Sequence, residues 1–323
     1  MKTRATTIAA AAVLVLLLAA CGGGVSSAGT DGEFQPDGNV TMLVPFAAGG
    51  GSDVAGRATA AMIASVEPDL TVSVENRDGG SGAVGYAYFQ GKAGTAETLL
   101  ATETSLLALP AGGNVDWTYE DFTPIMKLGE DFTLLVVPAD SPLETCTDVV
   151  DASKSERVLA GISGQLGLDN LVFSLVEEKT GAKFDRVAFE SGGELVAALL
   201  GDQIDIASLN PAEVIGQLES GDLKALCAFS EERYSYGALQ DIPTAKEQGI
   251  DVAFAQFRGV LAPGDITEAQ RDYWIGVMED AVKSPEYDAY IEENYMQPVT
   301  AAGDEFVDYL ATNKQLLETA MGL

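Results

Sequence analysis

Four times along the chain a short apolar run gives way to a glycine cluster and then to a helical pattern. The first cluster, Ala47-Ala48-Gly49-Gly50-Gly51-Ser52, follows the run 40–45. The second, 79–85, follows the β-branched alternation of 71–75, and the third, 161–167, follows 158–162. The fourth, 190–194, follows 185–189. Strand, glycine turn and helix in repetition make a parallel α/β sheet, whose ligands sit beyond the carboxyl ends of the strands. Two such loops fall in each half of the chain. A length of 323 residues gives both halves enough chain for a core of their own.

Further strands are expected at 98–102, 132–137, 204–208 and 223–229, with helices at 53–64, 166–179, 194–200 and from Ala212. After the run 254–261 the pattern is helical to the end, at 267–283, 285–294 and 303–320. A tail without strands must pack on a sheet that already exists, and the shortest route returns it to the first unit. The expected organisation is therefore a first lobe of 39–138 plus 262–323 and a second lobe of 139–261, with crossings near 137–142 and 258–263.

Charge and composition remove whole classes of function. With 49 Asp and Glu against 18 Lys and Arg, the formal net charge is −31. That lacks the cationic footprint nucleic acids and anionic lipid headgroups require. There is no His, so Ser-His-Asp and Cys-His triads cannot form and most zinc sites are excluded. Neither G-x-S-x-G nor S-x-x-K occurs. No enzyme, cofactor or metal is expected.

Lys2 and Arg4 precede an apolar run at 8–18, too short for a membrane span of about 20 residues and fit for a signal peptide at 1–20. Leu18-Ala19-Ala20-Cys21-Gly22 resembles the lipobox of bacterial lipoproteins. This implies acylation of Cys21, an extracytoplasmic protein (periplasmic, or on the outer face of the cell membrane), and membrane contact through the lipid alone. Residues 21–38, rich in Gly and Ser, read as a tether. Export permits a disulfide between Cys146 and Cys227. It would close a loop of about 80 residues, worth about 4–5 kcal/mol; two buried thiols are equally compatible with the sequence.

Glycines ahead of a helix bare backbone N–H groups where the helix dipole is positive, which suits an anion. Nothing follows the first cluster to make it a P-loop. The second contains Gly80, Gly82 and Gly85 as G-x-G-x-x-G, with Glu103 on the next strand. This leaves a dinucleotide-binding enzyme as an alternative reading. Exposed carboxylates do not prevent anion capture. A charge about 16 Å away costs about 0.26 kcal/mol in water before screening. A hydrogen bond to a charged group is worth about 1.5–3 kcal/mol.

The stretch Met42 to Arg57, together with Val74-Glu75-Asn76-Arg77, Leu134 to Pro138, Ser191 to Gly201 and Gly259 to Pro263, resembles the substrate-binding proteins of tripartite tricarboxylate transporters, the TctC or Bug family, in the same order along 39–320. The resemblance implies a two-lobe periplasmic-binding-protein fold of type II-like form with a central cleft. It implies a small carboxylate, a di- or tricarboxylate or related acid, held mostly by backbone N–H groups as the lobes close. Phe46, Ala47, Ala48, Gly49, Gly50 and Ser52 would grip from one lobe. Ser163, Gly164, Gln165 and Ser191 would grip from the other, with Thr104 and Ser105 on the floor. It also implies two integral membrane partner subunits and a monomeric receptor; service to another transporter class is the alternative. Asp78 stands where the family commonly has Pro, and Leu166 and Asn170 stand where it often has a small residue and a His.

Overall fold

The computed structural model describes residues 34–163, 167–189 and 191–323. The expected signal peptide, Cys21, most of the tether, and Gly164 and Gln165 lie outside the described residues. The chain runs β1 (Asn39–Val44), α1 (Gly51–Val66), β2 (Thr71–Asn76), α2 (Ala83–Gln90), β3 (Thr98–Glu103), α3 (Ser105–Ala111) and β4 (Thr123–Asp131). It continues through β5 (Leu134–Pro138), α4 (Cys146–Ser153), β6 (Leu159–Ile162), α5 (Leu168–Thr180), β7 (Asp185–Ala188), α6 (Gly192–Leu200), β8 (Ile206–Leu209), α7 (Pro211–Ser220) and β9 (Leu223–Ala228). It ends with β10 (Gln256–Ala262), α8 (Glu268–Ala281), α9 (Pro285–Glu293), β11 (Ala301–Ala302) and α10 (Gly303–Ala320).

The strands form two sheets, ordered β11-β4-β10-β3-β1-β2 and β7-β6-β8-β5-β9. The strands that follow the rhythm read from the sequence pair in parallel: β1 with β2 and β3, and β6 with β7 and β8. The strands nearest the crossings run the other way. β10 is antiparallel to both β3 and β4, and β5 to both β8 and β9. Both sheets are buried on both faces. Leu135 and Val137 of β5 enter one apolar cluster, while Leu134 and Val136 enter another, as the two-residue period of a strand requires.

The structure moves both expected crossings. β5 lies in the second sheet and β10 in the first, so the chain changes sheets at 131–134 and 254–256. The run 132–137 is apolar on both faces, and local pattern carries no information about which sheet such a strand joins. β4, which lies between β10 and the two-residue edge strand β11, was not expected: Pro124, Lys127 and Gly129 interrupt its apolar pattern, although seven of its nine residues are buried. Lys127 is tolerated there because its ammonium pairs with Glu130 Oε1 at 2.7 Å and lies 3.9 Å from the Tyr309 ring centroid. The helices α3 and α4 were also unforeseen, and the tail contributes one two-residue strand, β11, to the first sheet.

The C-terminal helices return to the first sheet, as its lack of a second cover demands. α8 packs on α1 and β4, and Trp274, fully buried, donates its indole N–H to the Ala96 carbonyl at 2.8 Å. α10 touches α3 and β4 but also α5, so Phe306, Leu310 and Leu317 share one core with Leu135 and Phe173. Cys146, at the start of α4, and Cys227, on β9, are joined as a disulfide with their Cα atoms 5.9 Å apart.

Candidate binding cleft

The carboxyl ends of the parallel strands in both sheets open on one cavity of about 590 Å³. This is the size range of small-molecule sites. Phe46 reaches it from the turn after β1, and Glu103, Thr104 and Ser105 from the junction of β3 with α3. Ser163 comes from the end of β6, Asp169 from the first turn of α5, Gly192 from the start of α6, and Asn210 and Glu213 from the start of α7. Gln256 comes from β10 and Thr133 from the crossing before β5.

Of the residues expected to grip a ligand, Phe46, Thr104, Ser105 and Ser163 line this cavity. Ala47, Ala48, Gly49 and Gly50 are exposed and are not among its walls. Ser52 is turned instead toward Arg258, whose Nη1 lies 3.4 Å from its Oγ. Ser191 caps α6, its Oγ accepting from the Glu194 N–H at 3.3 Å, and leaves Gly192 at the wall.

Two of the amides expected to hold the ligand are already in use. The Gly49 N–H donates to Asp53 Oδ2 at 2.9 Å, and the Ser163 N–H donates to Asp169 Oδ2. In both loops an aspartate in the first turn of the following helix reaches back and satisfies the turn. The same device recurs at α7, where the Asn210 N–H donates to Glu213 Oε2 at 3.2 Å. Gly50, ahead of α1, has no side chain with which to cap it. The first-turn amides there are open to solvent or ligand.

Asp53 also accepts from Arg57 Nε at 2.9 Å and, through Oδ1, from Asn76 Nδ2 at 2.9 Å. Arg57 above all holds its carboxyl down at about 2, against burial and with help from the Gly49 and Asn76 bonds. Asp169, 4% exposed, is pushed above the usual carboxylate range by burial, against its bonds to the Ser163 and Asn170 amides. Asp131 is likewise pushed up by burial, although Arg258 lies 3.7 Å from its Oδ2 and Asn210 Nδ2 donates to its Oδ1 at 2.6 Å.

The second glycine loop serves packing. A side chain at Gly85 would stand 2.5 Å from the Pro45 Cα, and one at Gly82 would stand 3.2 Å from the Phe46 ring. These glycines let α2 press on the first loop and hold Phe46 at the cavity. Ser81 between them takes a left-handed φ of 55° and also lines the cavity. Strained residues of this kind gather at binding sites. Among the described residues no group of three His, Cys, Asp or Glu could hold a metal.

Sequence reasoning missed Asp169, Asn210, Glu213, Gln256, Ser81, Thr133 and Ser208, and named Glu103 only as a nucleotide partner. Asp169, Asn210 and Glu213 could have been found, since each stands at the start of a helix that follows an inner strand. Gln256 could not: its Nε2 donates to Glu103 Oε2 at 2.6 Å across 153 positions of sequence.

A family profile described as tripartite tricarboxylate transporter family receptor matches residues 59–318. The chain belongs to this family of substrate-binding receptors. It is 24% identical over 279 residues to the "UPF0065 protein in gbd 5'region" of Cupriavidus necator, covering 85% of this chain and 84% of that one. A TctC solute-binding protein from Polaromonas, solved without ligand, superposes with a TM-score of 0.80 at 28% identity, covering 90% of this chain and 99% of that one. MatC from Rhodopseudomonas palustris, solved with bound malate, has the same fold, with a TM-score of 0.72 at 20% identity and coverage of 89% and 100%. The fold is the two-lobe binding-protein architecture of these receptors, which leaves the dinucleotide-enzyme reading without support.

Proposed function

We propose that this receptor captures a small organic carboxylate outside the cytoplasm and passes it to the integral membrane subunits of a tripartite tricarboxylate-type transporter. The observation that carries this reading is the cavity itself, walled by strand ends of both sheets and containing a hydroxyl, Thr104 Oγ1, that is buried and without a hydrogen-bond partner. An unsatisfied buried hydroxyl is costly unless something fills the site. Malate in MatC supports a carboxylate as the occupant. Retention at a membrane falls to Cys21, acylated after removal of residues 1–20.

Capture proceeds by hinge closure. Ligand meets one wall first, and contacts from the other lobe then favour the closed form. Closure is what would bring the exposed loop 47–51 and its uncapped helix start to the ligand. Small-angle scattering of the protein with a bound acid is expected to show compaction; an unchanged radius of gyration with a ligand that binds by calorimetry rejects closure. Gly50 has φ −87°, and a Cβ there would meet only the Ala47 carbonyl, at 3.8 Å. Gly50→Asp should therefore fold normally and weaken acid binding at least tenfold, and unchanged affinity would remove this loop from the site.

A further inference from the structure

The walls of the cavity carry three carboxylates, Glu103, Asp169 and Glu213, and no Lys or Arg. Residues 164–166 and 190, outside the described set, are Gly, Gln, Leu and Glu, so they bring no cation either. Glu103 is 6% and Asp169 4% exposed. Among the described residues neither forms a direct ion pair; Glu103 accepts from Gln256, and Asp169 from two backbone amides and the Ser163 hydroxyl. A carboxylate can accept about four hydrogen bonds, so both keep acceptor capacity, Glu103 more than Asp169. Buried charges in proteins are paired or bound to metal; among the described residues Asp169 has no cation beside it, and Glu103 has only a share of Arg258, so the wall keeps a surplus of negative charge. Arg258 stands directly opposite Glu103 across β10 and β3, but its one charge is shared with Asp131, 3.7 Å away, and its Nη1 with Ser52.

A second observation lies at the same wall. Thr104, beside Glu103 and 8% exposed, has its Oγ1 buried with no partner. A hydroxyl can both donate to a ligand carboxylate and accept from a ligand N–H. A di- or tricarboxylate would set two or three negative charges against Glu103 and Asp169. A molecule with one carboxylate and one ammonium would meet both kinds of wall with the right sign.

We infer that the ligand is a zwitterion, an amino-carboxylic acid whose ammonium group is taken by Glu103 and Asp169 while its carboxylate is held by hydroxyls and helix-start amides of the cleft. The inference rests on the carboxylate reading above and narrows it.

The test is calorimetry on the exported chain with four probes of matched length: γ-aminobutyrate, glutarate, butyrate and butylamine. The expected result is that γ-aminobutyrate binds at least tenfold tighter than glutarate, and that Glu103→Gln and Asp169→Asn each reduce this preference at least tenfold. Thermal unfolding of the variants checks their fold; should Asp169→Asn unfold, Glu103→Gln decides. If glutarate binds as tightly as γ-aminobutyrate or tighter, the inference is overturned and the carboxylate reading survives. Binding of butylamine with none of the acids overturns the carboxylate reading as well. Heat from none of the four overturns both for ligands of this length.

Discussion

The loops after β1 and β6 use one device and reach opposite electrostatic states. In each, an aspartate early in the next helix accepts a loop N–H: Asp53 from Gly49 and Asp169 from Ser163. Asp53 has Arg57 one helical turn away, on a side chain 56% exposed, and its carboxyl is held down at about 2. Asp169 has no cation among its partners and is pushed up by burial. Holding a turn together needs only the acceptor oxygens. Whether the charge costs stability depends on whether a cation comes with it. The first loop is built for stability, and the third stores an unpaired charge at the cleft wall.

Breaking the comparison at its stable end should have the largest effect. Asp53→Ala removes three hydrogen bonds and strands Arg57, at an expected cost of about 2–4 kcal/mol by urea unfolding. A cost below that of an ordinary surface substitution would mean the turn holds itself.

Glycines in the two regions differ as sharply. A Cβ at Gly161, on β6, would stand 2.5 Å from Ile204 Cδ1 and 2.6 Å from Leu195 Cδ2, whereas one at Gly50 would meet only the Ala47 carbonyl, at an ordinary 3.8 Å. Gly161→Ala should therefore cost about 1–3 kcal/mol through overpacking. Gly50→Ala should stay within about 0.5 kcal/mol of the parent. Equal costs would erase the distinction between a packing glycine and a site glycine.

Acid titration sharpens the contrast by sign. The stability supplied by Asp53, whose folded value lies below its unfolded one, is fully present above about pH 4 and is lost as pH falls toward about 2. Asp53→Asn should flatten that limb of the curve. Asp169, raised on folding, stabilises most below its unfolded value near 3.8, and that contribution is lost as pH rises through its folded value. Asp169→Asn should accordingly gain on the parent as pH rises from about 4 to 7, ending within about 1 kcal/mol of it at neutrality. A variant that loses stability steadily over the same range would show the charge to be favourable.

Much of the fold could be read from the chain. The rhythm of strand, glycine and helix identifies the parallel strands, and Pro211 and Pro285 mark helix starts where proline is tolerated. β4 escaped because Lys127 and Gly129 break its pattern. Lys127 is acceptable only through Glu130 and Tyr309, and the latter is 182 positions distant. At the cleft, Phe46, Thr104, Ser105 and Ser163 came from the family resemblance, and the structure sets all four on the cavity wall. The acidity of the wall was not, since with 49 carboxylates in the chain no single one announces that it faces inward.

Local chain chemistry thus determined the elements, their order and the glycine turns that open helices toward a ligand, because period, capping and φ freedom are properties of neighbours in sequence. Sheet membership of β5 and β10, the use of the Gly49 and Ser163 amides within their own loops, and the gathering of Glu103, Asp169 and Gln256 around one cavity were decided in three dimensions. These depend on which buried surfaces meet across more than a hundred residues, and on whether a cation arrives with the acid when they do.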